Sequence, residues 1–212
     1  MSKPQIIEQD NYEVALKIAR DKWAKQDLAV QAQRCNAEIR QSGDQTTVVL
    51  DFLYTKCEVT HPDGQVRFAE KEGEPDIWEQ ILMLHYIGSD FPLVQSEKVI
   101  AYSEIPDGKF YDAAYKKRTR GFMLKVFGDR PDAMLAAAKS LGATQADMGD
   151  VSACVRAFPN INLYLVMWRG DDEFPPDASI LLEDRIQGFL DAEDIAVLGG
   201  ITVSRVVKAL NR

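Results

Sequence analysis

At 212 residues, 46% of them apolar and 27% charged, the chain is long enough to bury a core without disulfides or a structural metal, which excludes wholesale disorder. A net charge of −8 opposes nonspecific nucleic-acid binding, which depends on Lys and Arg neutralising phosphates. No apolar run approaches the roughly 20 residues that cross a bilayer, and Met1-Ser2-Lys3-Pro4-Gln5 carries no signal-peptide core, so a cytoplasmic location away from membranes is expected.

Asn11 to about Arg34 reads as one long amphipathic helix, with Val14, Ile18, Trp23 and Leu28 among polar neighbours. Ser42-Gly43-Asp44 is a break. Thr46 to Tyr54 and Lys56 to His61 follow as β-branched, aromatic-rich runs, and Pro62-Asp63-Gly64 supplies turn chemistry before Val66-Arg67-Phe68. A hairpin or small meander is expected there, with His61 as a hairpin residue. Pro75 suits the first turn of a helix carrying Ile77, Trp78, Ile81, Leu82, His85 and Tyr86, ended by Gly88 and Pro92. A strand at Lys98 to Tyr102 and a turn at Pro106-Asp107-Gly108 come next. Helical spacing then runs from Phe110 to Phe127 and from Pro131 to Leu141, with Gly142 placed to end the second run.

The last third reads as sheet and then helix. Ala153, Val155 and Ala157 alternate with Cys154, Arg156 and Phe158, Pro159-Asn160 makes a turn, and Asn162 to Trp168 is nearly continuous apolar sequence, as in a strand covered on both faces. Gly170 to Pro176 is a loop and Ala178 to Leu182 a short strand. Asp184 to Leu190 and Ala192 to Leu210 read as helices, the second capped by Asp191. Gly199-Gly200 inside that helix costs about 1 kcal/mol each against Ala, so close packing or a kink is expected. Strands and helices do not alternate strictly. The expected fold is therefore α+β, a largely antiparallel sheet with flanking helices in a single compact domain over 1–212. Lys71 to Glu74 is the one connector that would set off a minor lobe, 1–70, holding helix and hairpin.

Charge and cysteine usage narrow the chemistry. Lys109 to Arg130 holds seven basic residues against Asp112 and Asp129, whereas Asp171 to Asp194 holds nine acids against Arg185. Such blocks are solvated faces, or a basic patch that meets an anion. Cys35, Cys57 and Cys154 are odd in number and widely spaced, a poor disulfide framework without a C-x-x-C pair. The phosphate-loop, dinucleotide, zinc-protease and serine-hydrolase motifs are all missing from the text.

From about Leu82 onward a series of motifs follows in order: Leu84-His85-Tyr86-Ile87, Gly108-Lys109-Phe110-Tyr111, Leu141-Gly142, Gly149-Asp150, Phe158-Pro159, Trp168-Arg169-Gly170-Asp171-Asp172-Glu173-Phe174-Pro175, Ile180-Leu181-Leu182-Glu183-Asp184 and Glu193-Asp194. The series resembles the family catalogued as domain of unknown function 3786. The resemblance covers about 75–210, and the acidic segment from Trp168 to Pro175 is its most specific part. It implies an anaerobic bacterial or archaeal setting and an association with four-cysteine iron–sulfur modules similar to those of corrinoid iron–sulfur proteins. This chain has no four-cysteine segment, so a cluster-related role would come through an iron–sulfur or corrinoid protein partner.

Four groups of residues carry candidate chemistry. Asp171, Asp172 and Glu173 follow one strand, and Glu183 and Asp184 follow the next. If those strands pair, five carboxylates could gather at one end of the sheet and hold a hard divalent cation through Asp171, Asp172, Glu173 and Asp184, or perform acid/base work. The bland alternative is solvated strand ends, with Asp184 capping a helix. His85 lies on the apolar side of its helix, as a core histidine or a ligand, with the Tyr86 hydroxyl nearby. Tyr111, Tyr115, Arg118 and Phe122 recur at i, i+4, i+7 and i+11, which places an arginine on an aromatic stripe, for packing or for an anionic ligand. Trp168, where the apolar strand meets the acidic segment, joins His85, Tyr111, Tyr115 and Arg118 as a candidate cofactor contact. The leading expectation is a binding or accessory protein for an anionic small molecule or cofactor. An enzyme using the acidic loop and a protein-docking module are the alternatives; the cofactor itself and any catalytic residue are unassigned.

Overall fold

A computed structural model describes residues 4–96 and 98–210, with side chains from residue 11 onward. Met1 to Lys3, part of the stretch read above for a leader, lie outside the described residues. The chain divides into two compact units, Met1–Phe91 and Pro92–Arg212. The Lys71 to Glu74 connector lies inside the first of them, between a strand and a helix.

The first unit is a four-stranded antiparallel meander, β1 (Glu38–Ser42), β2 (Gln45–Phe52), β3 (Thr55–His61) and β4 (Val66–Phe68), packed with helices α1 (Pro4–Trp23), α2 (Leu28–Cys35) and α3 (Ile77–Ile87). Register sets Val48 against Val59 and Leu50 against Cys57, and all four are buried. The helix expected over Asn11 to Arg34 is two helices. Asp27 takes an extended conformation and its side chain accepts from the Val30 amide, so it caps α2 and ends the run. Asn36, left-handed at φ 51°, closes α2 from the other end.

In the second unit the strand order is β5-β9-β8-β7-β6, again antiparallel throughout, with β5 at Val99–Ala101, β6 at Thr144–Gln145, β7 at Val151–Phe158, β8 at Ile161–Trp168 and β9 at Asp177–Glu183. Its two faces differ because side chains alternate along each strand. Register aligns Val155, Leu163 and Leu182 in one row and Ala153, Leu165 and Ile180 in the next, all buried. On that side lie α5 (Arg120–Phe127), α6 (Pro131–Leu141) and α7 (Ala192–Ala209), while α4 (Gly108–Arg118) packs on α5 and α7. Asp191 caps α7 by accepting from the Asp194 amide, and Gly142, at φ 115°, ends α6. The antiparallel α+β architecture expected from the sequence is the one observed. Among the described residues, no helix is long and apolar enough to cross a membrane.

Candidate functional site

Thr119 interrupts the helix expected from Phe110 to Phe127. Its backbone sits at φ −108° and ψ −82°, outside the helical region, and its hydroxyl donates to the Tyr115 carbonyl at 2.7 Å. A threonine that bonds back to the preceding turn bends a helix, and here it separates α4 from α5. The break opens a depression of about 580 Å³ lined by Ala114, Lys117, Arg118, Gly121, Phe122 and Lys125. Ala114, Arg118, Gly121 and Lys125 are spaced i, i+4, i+7 and i+11, so one helical stripe continues across the break.

The cations in this groove have no carboxylate partner among the described residues. Neighbouring cations are committed: Lys116 pairs with Asp112 at 2.6 Å, and Arg120 pairs with Asp177 at 2.6 Å. Lys117, Arg118 and Lys125 make no ion pair among the described residues; Arg118 donates from Nε to the Ala114 carbonyl at 3.4 Å, and its charge acts on the Tyr102 phenol. Three unpaired cations thus surround a floor supplied by Ala114, Gly121 and the half-buried Phe122.

The groove takes in part of the stripe expected from the sequence and corrects the rest. Arg118 and Phe122 line it. Tyr115 does not: its ring is 3% exposed, stacks on Tyr102 with centroids 4.0 Å apart, and faces Gly199 of α7. Tyr115 is therefore the core anchor of α4 rather than a ligand contact, and burial pushes its phenol pKa up. Tyr111 is half exposed on α4 but is not among the lining residues. Lys117 and Lys125 are the lining cations that the aromatic stripe did not single out; their signal was the basic block itself. His85 lies on α3 of the first unit, half-buried.

The carboxylates do not gather. β8 and β9 do pair, and the pairing is antiparallel, with Trp168 opposite Asp177 and Leu163 opposite Leu182. The Asp171-Asp172-Glu173 segment is therefore the turn at one end of the pair, and Glu183-Asp184 lies at the other end of β9. Among the described residues, no group of three or more His, Cys, Asp or Glu is placed to hold a metal ion. Asp171 instead shapes its own loop. Its Oδ1 accepts from the Glu173 amide at 2.8 Å and the Phe174 amide at 2.7 Å, and these bonds lower its carboxyl pKa. Asp184 opens a 3₁₀ turn, Asp184–Gly188, after β9.

The remaining residues of the acidic motif are structural. The Arg169 guanidinium holds both Asp132 oxygens at 2.8 and 2.7 Å, and its amide donates to Asp150 at 2.7 Å. At Gly170 a Cβ would lie 2.8 Å from the Pro176 ring, so the Pro-Pro step packs where only glycine fits. Trp168, 39% exposed, ends β8 beside Gly149. Beyond this scaffold Asp172, Glu173 and Phe174 stand exposed at the tip.

The second face of the sheet carries a polar network centred on Glu183, whose side chain is 13% exposed. Its carboxylate accepts from Asn162 Nδ2 at 3.0 Å, the Asn162 amide at 3.4 Å and the Tyr164 hydroxyl at 3.3 Å. A β-bulge at Arg156 to Phe158 breaks the ladder beside Asn162. Burial, and then the Glu183 charge, push the Tyr164 pKa from 10.0 to about 12. Burial also raises Cys35, from 9.0 to about 12, and Cys154. Because the folded chain holds these protons more tightly than the unfolded one, their contribution is complete below the ordinary values and is lost as pH rises towards the folded ones. Unfolding midpoints should therefore fall from about pH 9 upward. Glu183→Gln should bring Tyr164 ionisation to lower pH in an ultraviolet titration; an unchanged titration would remove Glu183 as a cause.

A family model described as a domain of unknown function, DUF3786, matches residues 27–205. The chain belongs to that family. No curated protein and no solved structure matches it. The matched span runs from the N-cap of α2 into α7, and so takes in the groove and the acidic loop as well as most of the first unit.

Proposed function

We propose that this DUF3786 protein is a binding or accessory protein that takes an anionic small molecule or cofactor in the α4–α5 groove. The observation that carries this reading is the set Lys117, Arg118 and Lys125, three cations without ion pairs among the described residues, around an apolar floor. An exposed cation pairs readily with any acid in reach, and Lys116 and Arg120 beside the groove do so. Anion recognition needs positive groups left free to desolvate on a ligand, and Arg118 presents a planar fork suited to phosphate or carboxylate. Phe122 offers a face for the ligand's apolar part.

The anaerobic corrinoid or iron–sulfur setting implied by the family resemblance enters this reading through a partner. Cys35 and Cys57 are buried and Cys154 is half-buried, and the described residues contain no cluster-holding set. A cluster on this chain alone would normally take four thiolates.

The test has two arms. Native mass spectrometry and absorbance of protein purified anaerobically from its own host should reveal a copurifying anionic mass. Calorimetric titration with inorganic pyrophosphate should show one site, weakened about tenfold each by Arg118→Ala and Lys125→Ala, the loss of one charged contact apiece. An apo mass together with no pyrophosphate binding, or binding indifferent to both substitutions, would remove the groove as the site.

A further inference from the structure

The acidic motif and the basic groove have complementary chemistry, and both are fixed to α5. Arg120, at the start of α5, holds Asp177 at the foot of the acidic loop, and Gly128, just past its end, lies against Pro176. The groove is cut into α5 itself at Gly121, Phe122 and Lys125. The loop is rigid at its base, where Arg169, Gly170 and Asp171 are all committed to holding it. Its tip is uncommitted: Asp172 and Glu173 make no ion pair among the described residues, and Phe174 is 66% exposed beside them. An exposed phenylalanine next to two acids costs solvation and gains nothing within the fold. The groove is its counterpart, an apolar floor with Phe122 between three unpaired cations.

The geometry points to a second copy of this chain as a partner, with the Asp172-Glu173-Phe174 tip of each copy seated in the α4–α5 groove of the other. Phe174 would meet Phe122 and Ala114, and the two carboxylates would meet Lys117, Arg118 and Lys125. Within one chain, no ion pair joins this tip to this groove among the described residues. About a two-fold axis the two tip–groove contacts are equivalent, so both form at once and the assembly closes as a dimer instead of growing into a filament. The rigid base lowers the ordering cost of docking. With a net charge of −8, two copies repel at long range, so the contact depends on this local pairing and weakens with salt. The inference rests on the groove being an anion site. It adds that the site is shared between an acidic peptide tip and a small anion, so that a soluble ligand would release the dimer.

Sedimentation velocity across a concentration series should show a species of twice the 23.8 kDa chain mass, dissociated by pyrophosphate or by high salt. Arg118→Glu with Lys125→Glu (groove variant) and Asp172→Lys with Glu173→Lys (tip variant) should each be monomeric alone. Mixed together they should form a heterodimer, because one groove–tip contact is then wild type and the other has both charges reversed. That rescue cannot come from misfolded chains. A concentration-independent monomer that still binds pyrophosphate would overturn the dimer and leave the anion site standing. A monomer without pyrophosphate binding would overturn both. A dimer indifferent to both variants would place the interface elsewhere and overturn this one.

Discussion

Gly199→Leu should lower stability by about 3 kcal/mol, whereas Gly200→Ala, one residue further on, should raise it by about 0.5–1 kcal/mol. The two glycines are adjacent in the same helix and meet different surroundings. A Cβ on Gly199 would lie 2.7 Å from Tyr115 Cε2 and 3.0 Å from its hydroxyl oxygen. The ring cannot move aside, because it is buried and stacked on Tyr102, whose own hydroxyl donates to the Ala192 carbonyl at 2.8 Å. At Gly200 nothing lies within 4 Å of the added atom, so alanine gains helix propensity without a clash. Urea midpoints of the two variants should therefore move in opposite directions. Since Tyr115 seats α4 on α7, Gly199→Leu should also weaken pyrophosphate binding by displacing Lys117 and Arg118. Equal shifts at the two positions would mean that helix propensity alone decides and that the Tyr115 contact is not tight. Tyr115→Phe is the companion test. Its hydroxyl has no partner among the described residues, so removing it should be neutral or stabilising.

The sheet was legible in the sequence wherever burial left a pattern. β7 and β8 were read from alternation and a continuous apolar run, and the Pro159-Asn160 turn set their hairpin. β1 was missed for the same reason: all five of its residues are exposed, so Glu38 to Ser42 carries no hydrophobic signal. The helices were legible in their middles and not at their interruptions. Asp27 and Thr119 each sit inside apolar spacing that continues past them, and periodicity is blind to a side chain that bonds the backbone. Asp27 is a good capping residue, and that preference won over the continuing pattern.

The candidate site divides the same way. Its charge was visible as the Lys109 to Arg130 block, and Arg118 and Phe122 were named from spacing. Its shape was not, because the groove exists only where Thr119 breaks the helix. The stripe that faces it starts at Ala114, which carries no chemical signal. Tyr115, chosen as an aromatic on the stripe beside Arg118, turns instead toward the helix that a glycine opens for it. The acidic cluster failed through topology. The cluster was made conditional on the two strands pairing; they do pair, but antiparallel pairing sends one turn and one terminus to opposite ends, and only a parallel pair would have brought the five carboxylates together.

Trp23→Ala should cost about 3–5 kcal/mol, the largest loss expected from any single substitution in the first unit. Trp23 ends α1 and is wholly buried. Its indole nitrogen donates to the Thr60 carbonyl at 2.9 Å, and its ring meets His61 edge-on with centroids 5.0 Å apart. One turn earlier, Arg20 Nε donates to the Gly64 carbonyl at 3.1 Å, so α1 is tied to both sides of the β3–β4 turn. Alanine removes the ring, the hydrogen bond and the packing against that turn together, and leaves a cavity that Arg20 cannot fill. Trp23→Phe separates these contributions, since it keeps most of the apolar contact and loses the donor to Thr60. It should cost about 1–2 kcal/mol. A loss as large as that of alanine would show that the hydrogen bond, and not the volume, holds α1 to the sheet. Arg118→Ala and Lys125→Ala, on exposed positions without ion pairs, should stay within about 0.5 kcal/mol of the wild type while losing anion binding. Stability and binding should therefore come apart at these positions, as they must if the groove cations are held in reserve for a ligand. If instead both substitutions lowered the urea midpoint by as much as Trp23→Phe, those cations would be structural and the groove reading would fall with them.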